Sequence, residues 1–104
     1  MQICTPTEAA QALADGTWTI VDVREAPELE VVQIAGALHV PLSEFVERFD
    51  EIPTTLPIAL MCHHGGRSAQ AQAFLATKGI TRTLNIDGGI DRWAIDVDSS
   101  LNRY

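Results

Sequence analysis

At 104 residues, 46% of them hydrophobic and 20% charged, the chain is long enough for one compact domain spanning 1–104 with a sizeable core, and too short for a second. Its formal net charge of −7 argues against nucleic acid as a partner, because that binding depends on Lys and Arg neutralising phosphates. No run approaches the roughly 18 apolar residues of a membrane span, and Met1 to Pro6 lacks a basic segment followed by an apolar one; the expectation is no membrane contact and a cytoplasmic location.

Thr5-Pro6-Thr7-Glu8 combines a helix N-cap, a proline at the first helical position and a glutamate three residues after the cap. The pattern predicts a helix to about Ala14, stopped by Gly16. Trp18 to Val23 then forms a buried strand whose end carries Asp22, Arg24 and Glu25. Pro27 to Val32 predicts a brief helical turn, Gly36 a break, and Ala37 to Val40 a short strand closed by Pro41. Ser43 is expected to cap a helix running through Phe49. Pro53 and Pro57 bracket a loop before the strand Ile58 to Met61. An alanine-rich helix follows from Ser68 to Lys78, ended by Gly79, and Thr83 to Ile86 is the last strand before Asp87-Gly88-Gly89. An ordered extension is expected after Trp93.

Apolar, β-branched runs alternating with helical segments indicate an α/β fold with a mostly parallel sheet and helices on both faces. Ligands of such sheets bind beyond the carboxyl ends of the strands. Cys62, Asp22 to Glu25 and Asp87 to Gly89 all fall there. Cys62 stands between a strand and a helix, where loop N–H groups and the helix dipole favour an anion, so a lowered thiol pKa and a nucleophilic role are expected. Between Ile52 and Ile86 there is no Asp or Glu, while Arg67, Lys78 and Arg82 lie in that stretch, leaving the cysteine in the least acidic part of the chain. The same asymmetry is what buried strands and a helix alone would give.

Four segments together carry a family resemblance: Asp22-Val23-Arg24-Glu25; Ile34-Ala35-Gly36-Ala37 with Val40-Pro41-Leu42; Cys62 to Ser68; and Asp87-Gly88-Gly89-Ile90 with Trp93. Over nearly its whole length the chain resembles a single-domain rhodanese-like sulfurtransferase. The resemblance implies a rhodanese-like fold with a five-stranded sheet. It also implies a double displacement in which Cys62 takes the outer sulfur of a donor such as thiosulfate and passes it, as a persulfide, to cyanide or a thiol. The partners expected are a small sulfur-containing anion, a thiol or cyanide acceptor and, in a relay, an acceptor protein. No metal or organic cofactor is required. The loop from Cys62 through Arg67 is six residues; related phosphatases and arsenate reductases typically use seven, and a six-residue cradle is too tight for a tetrahedral oxyanion at the same attack distance.

Within this frame the backbone of His63, His64, Gly65, Gly66, Arg67 and Ser68 is expected to bind donor and persulfide, with Gly65 and Gly66 giving the backbone freedom the cradle needs. Arg67 either grips the donor's sulfonate or forms a salt bridge with Asp22 or Glu25. His63 and His64 stand where many relatives carry basic or hydroxyl residues, and their protonation predicts thiosulfate activity rising toward pH 6. Asp22 and Arg24 are expected to brace the loop. Glu25, Glu28 and Glu30 read as a solvated acidic face, His39 as a satisfied core or rim histidine and Trp93 as packing, with Gln33 and Cys4 as bystanders. Zinc on Cys62, His63 and His64 is disfavoured, because three consecutive residues rarely chelate one ion.

Overall fold

The computed structural model describes residues 2–104. Five strands, β1 (Ile3–Cys4), β2 (Thr19–Asp22), β3 (Leu38–His39), β4 (Ile58–Met61) and β5 (Thr83–Ile86), form one parallel sheet in the order β1-β5-β4-β2-β3. The helices are α1 (Pro6–Asp15), α2 (Ala26–Val31), α3 (Phe45–Arg48), α4 (Gly66–Thr77) and α5 (Gly89–Asp96). None is long and apolar enough to cross a membrane.

Strand alternation splits the core into two layers. Val21, Ile58 and Leu60 face one side, where Phe45 of α3 and Ala71 and Leu75 of α4 cover them. Ile20, Ala59 and Met61 face the other, under Ala9 of α1 and Ile90 and Trp93 of α5. All four residues of β4 are buried, so both faces of the central strand are covered. The anticipated α/β architecture with helices on both faces is the one observed.

The capping box at Thr5 forms as its sequence dictates: Glu8 N–H donates to Thr5 Oγ1 at 3.1 Å, and Thr5 N–H donates to Glu8 Oε1 at 2.8 Å. Ser43 caps no helix. It lies in a 3₁₀ turn, and its hydroxyl donates to Glu25 Oε1 at 2.6 Å, so the helical segment that follows is the single turn Phe45–Arg48 between two 3₁₀ turns. Two elements went unforeseen. Strand β1 has two residues, too few for any periodicity; α5 opens on the second glycine of a Gly-Gly pair, a residue type that disfavours helix.

Candidate active site

Chain and sheet together set Cys62 at the carboxyl end of β4, one strand from Asp22 and one from Ile86. Its side chain is packed in the core layer beneath α4, and the residue is only 1% exposed. Helix α4 begins at Gly66, two residues before the expected start, because Gly65 turns the chain at φ 122°. That value is open to glycine and strained for other residues. Gly66 has an ordinary φ and open space where a Cβ would stand, so the backbone freedom expected of both glycines is needed at Gly65 only.

The turn aims its donors at sulfur. Gly65 N–H donates to Cys62 Sγ at 3.0 Å, and Ser68 Oγ lies 3.3 Å from it. Burial works against the thiolate. Hydrogen bonds from the Ser68 hydroxyl and from the backbone of Ser68, Gly65 and His64 outweigh it, and the thiol sits below its ordinary value. Ser68 has one proton and three acceptors in reach: Sγ, Asn85 Oδ1 at 2.5 Å and Gly65 O at 3.2 Å. Asn85 in turn donates from Nδ2 to Gly65 O at 3.0 Å, tying β5 to the loop. Asn85 escaped the sequence reading; its only signal was a polar residue within an otherwise apolar strand next to the Gly-Gly turn.

Helix α5 clamps the loop from the other side. Its first free N–H groups need acceptors, and Ile90 N–H donates to Cys62 O at 2.9 Å and Asp91 N–H to His63 O at 3.1 Å. Gly89 makes this approach possible: its φ is 59°, and a Cβ there would overlap the carbonyl oxygens of Cys62 and His63. The closing Asp87-Gly88-Gly89-Ile90 segment therefore shapes the cysteine loop directly.

The charged residues are arranged differently from expectation. Arg67 pairs with neither Asp22 nor Glu25. Its two terminal nitrogens donate to Glu28 Oε2 at 2.7 Å and Oε1 at 2.8 Å, and the guanidinium pulls the Glu28 carboxyl down to about 2. Glu25 and Glu28 are consequently not a solvated face, and of that trio only Glu30 is fully exposed. Asp22 and Arg24, 1% and 0% exposed, make a buried fork with each other. Arg24 also donates to Val32 O, Glu28 O and Tyr104 Oη. None of these bonds reaches the cysteine loop; the pair instead anchors α2, and through it Glu28.

His63 is half-buried between two rings, stacked on Tyr104 at 3.9 Å and 5° and tilted by 32° against His64 at 3.9 Å. Burial, with His64 adding to it, pushes its imidazole below the ordinary value, and its Nε2 is buried without a hydrogen-bond partner. The protonation expected of His63 near pH 6 therefore moves to lower pH. His64 is exposed, 3.8 Å from Asp91. His63, His64 and Asp91 bring three potential ligand atoms within 4.8 Å of one another. Asp91, however, already accepts two hydrogen bonds from Arg103, at 2.9 and 3.1 Å.

Remaining candidates lie apart from the sulfur. Lys78 follows the far end of the 12-residue α4, roughly 18 Å along the helix, and Arg82 precedes β5 at the opposite edge of the sheet, so the acid-free segment does not make the loop cationic. His39 Nε2 bonds Arg24 O at 2.6 Å, a satisfied rim histidine. Trp93 is core, and Gln33 is exposed. Cys4 packs in the core layer opposite the one that holds Cys62, and its thiol is pushed up to about 11 by burial and by Glu8 and Asp87.

Comparison with known proteins agrees with this geometry. Residues 5–96 match the family described as Rhodanese-like domain. The chain is 33% identical over 91 residues to a thiosulfate sulfurtransferase GlpE of Pseudomonas fluorescens, covering 85% of this chain and 81% of that protein. It is 38% identical over 86 residues to a sulfurtransferase of Allochromatium vinosum, covering 82% and 80%. Among solved structures, a rhodanese-related protein from Thermoplasma volcanium superposes with a TM-score of 0.84 at 29% identity over 93% of this chain and 94% of that one. With its parallel five-stranded sheet, its cysteine cradle and these relatives, the chain belongs to the rhodanese-like domain family.

Proposed function

We propose that this chain, acting as one domain, is a sulfurtransferase that moves a sulfane sulfur from a donor to a thiol or cyanide through a Cys62 persulfide. The observation that carries the reading is the cradle at Cys62: a buried sulfur at a helix start, met by Gly65 N–H and Ser68 Oγ and held below the ordinary thiol pKa.

In the first half-reaction the Cys62 thiolate attacks the outer sulfur of the donor. A new S–S bond forms at Sγ, the donor's own bond to that sulfur breaks, and its electron pair departs with the leaving group, sulfite in the case of thiosulfate. The persulfide anion then rests among the loop N–H donors. In the second half-reaction a thiophile attacks the terminal sulfur, the Sγ–S bond breaks, and Cys62 leaves as the thiolate the cradle already stabilises. No step calls for a metal or an organic cofactor. The six-residue loop favours sulfur over phosphate or arsenate chemistry, because the donors that would surround a tetrahedral oxyanion here close on the sulfur itself.

Intact mass spectrometry of the reduced protein after incubation with a sulfur donor tests the proposal. A gain of about 32 Da that is lost on adding cyanide and absent from Cys62→Ser is the expected result. An unmodified Cys62 after exposure to both thiosulfate and an organic persulfide, in protein whose thiol remains alkylatable, would refute it.

A further inference from the structure

We infer that Glu28 sets the donor specificity of this site: by holding Arg67 it leaves the cradle mouth without an uncommitted arginine or lysine among the described residues, and so selects a low-molecular-weight organic persulfide over thiosulfate. The inference rests on the proposal that Cys62 carries sulfur.

Thiosulfate arrives as a dianion, and while Sγ attacks its outer sulfur, three sulfonate oxygens need donors or positive charge at the mouth. Arg67, within the loop itself, would be the natural grip, but both terminal nitrogens are engaged by Glu28 at 2.7 and 2.8 Å. This fork uses the same planar donor pair that would hold a sulfonate. With Glu28 held down to about 2, protonation does not release Arg67 anywhere near neutral pH. The surrounding cations are spent likewise: Arg24 on Asp22, Arg103 on Asp91, Arg92 on Asp87 and Asp96. Burial lowers the His63 pKa and so disfavours its charged form. What remains is exposed His64, whose Nε2 lies 3.8 Å from Asp91 Oδ2, and the ring of loop N–H groups, of which Gly65 N–H already points at Sγ.

An organic persulfide, R–S–SH, asks for less. The Cys62 thiolate attacks the terminal sulfur, the Sγ–S bond forms, the donor S–S bond breaks, and R–S⁻ departs with the electron pair, leaving Cys62–S–SH. One negative charge enters the reaction and one leaves, with no oxyanion at the mouth. Cys62 is 1% exposed, which also favours a donor that presents a bare sulfur on a slender stem.

The test compares rates of sulfur loading, read by intact mass, with thiosulfate and with glutathione persulfide. Wild type should load from the persulfide at least about tenfold faster, and Glu28→Gln, which frees Arg67, should narrow that ratio by about fivefold or more. Equal rates in wild type, or an unchanged ratio in Glu28→Gln, would overturn the inference while leaving Cys62 chemistry intact; no loading from either donor would remove the proposed function itself. Should Glu28→Gln fail to fold, the salt dependence of wild-type thiosulfate loading decides. A rate that is flat or rises between about 0.02 and 0.3 M salt is expected of a rim with no cation to spare, and a steep fall would mean that a cation is engaged.

Discussion

Two polar centres lie on neighbouring strands at the carboxyl edge of the sheet, and they are satisfied by opposite means. At the end of β2, Arg24 and Asp22 answer charge with charge, in a fork with Nη2 to Oδ2 at 2.7 Å. At the end of β4, Cys62 meets neutral donors, Gly65 N–H and Ser68 Oγ. The first arrangement has one state and serves as an anchor. The second can accommodate either thiol or thiolate, since a neutral donor does not demand a fixed charge, and the proposed persulfide asks for the same latitude. The proposed function accordingly puts the chemistry at Cys62, although Arg24 is the more deeply buried ionisable group.

Breaking the anchor should have the largest effect on stability. Asp22→Asn leaves a buried guanidinium with no counter-charge, at a cost of about 3 kcal/mol or more. Against a total stability of about 5–15 kcal/mol this is a severe loss. The melting temperature should fall by more than about 10 °C, while Cys62 in protein still folded at low temperature keeps its alkylation rate. A melting temperature within about 2 °C of wild type would mean that Val32 O, Glu28 O and Tyr104 suffice to hold Arg24.

The cradle was far more legible than its rim, and the reason is distance along the chain. Cys62, Gly65 and Ser68 are neighbours in sequence, so the strand, the glycine turn and the helix announce the thiol's surroundings directly. Thr5 and Glu8 made the first helix equally plain. Glu28 meets Arg67 across 39 positions, and Tyr104 meets Glu28 across 76. Which carboxylate an arginine finds at such separations depends on how α2 docks beside the loop, and no local pattern encodes that. Helix α5 was recoverable: Ile90, Trp93, Ala94 and Val97 follow helical spacing, and the first three are buried. The glycine pair at its start disfavours helix by composition and so concealed that Gly89 begins one, where a glycine is needed to touch the loop.

A smaller change should sharpen the contrast from the other side. Ser68→Ala deletes a donor to sulfur and should raise the Cys62 pKa. The pH midpoint of iodoacetamide alkylation should move up accordingly. Because the native thiol lies below its ordinary value of about 9, the stability it lends is present above that value and is lost as pH falls through the native one. Ser68→Ala should therefore lose more stability at alkaline pH than at pH 6, where the loss left is that of the Ser68 bond to Asn85 Oδ1. An alkylation midpoint that stays put would mean that Ser68 spends its proton on Asn85 Oδ1 even opposite a thiolate.

Tyr104→Ala is the gentlest test. The ring is 41% exposed, stacks on His63, accepts from Arg24 at 3.0 Å and donates to Glu28 at 3.2 Å, so its removal should cost less than about 1 kcal/mol. Burial is the main cause of the low His63 pKa, and uncovering the imidazole should let it rise, measurable as a higher midpoint in the NMR titration of its ring proton. The Arg67 fork on Glu28 stays closed in this variant, so the preference for persulfide over thiosulfate should hold. That outcome would separate charge from cover. A donor ratio that moved as far in Tyr104→Ala as in Glu28→Gln would assign selectivity to the aromatic stack, and the ion pair beneath it would be only a support.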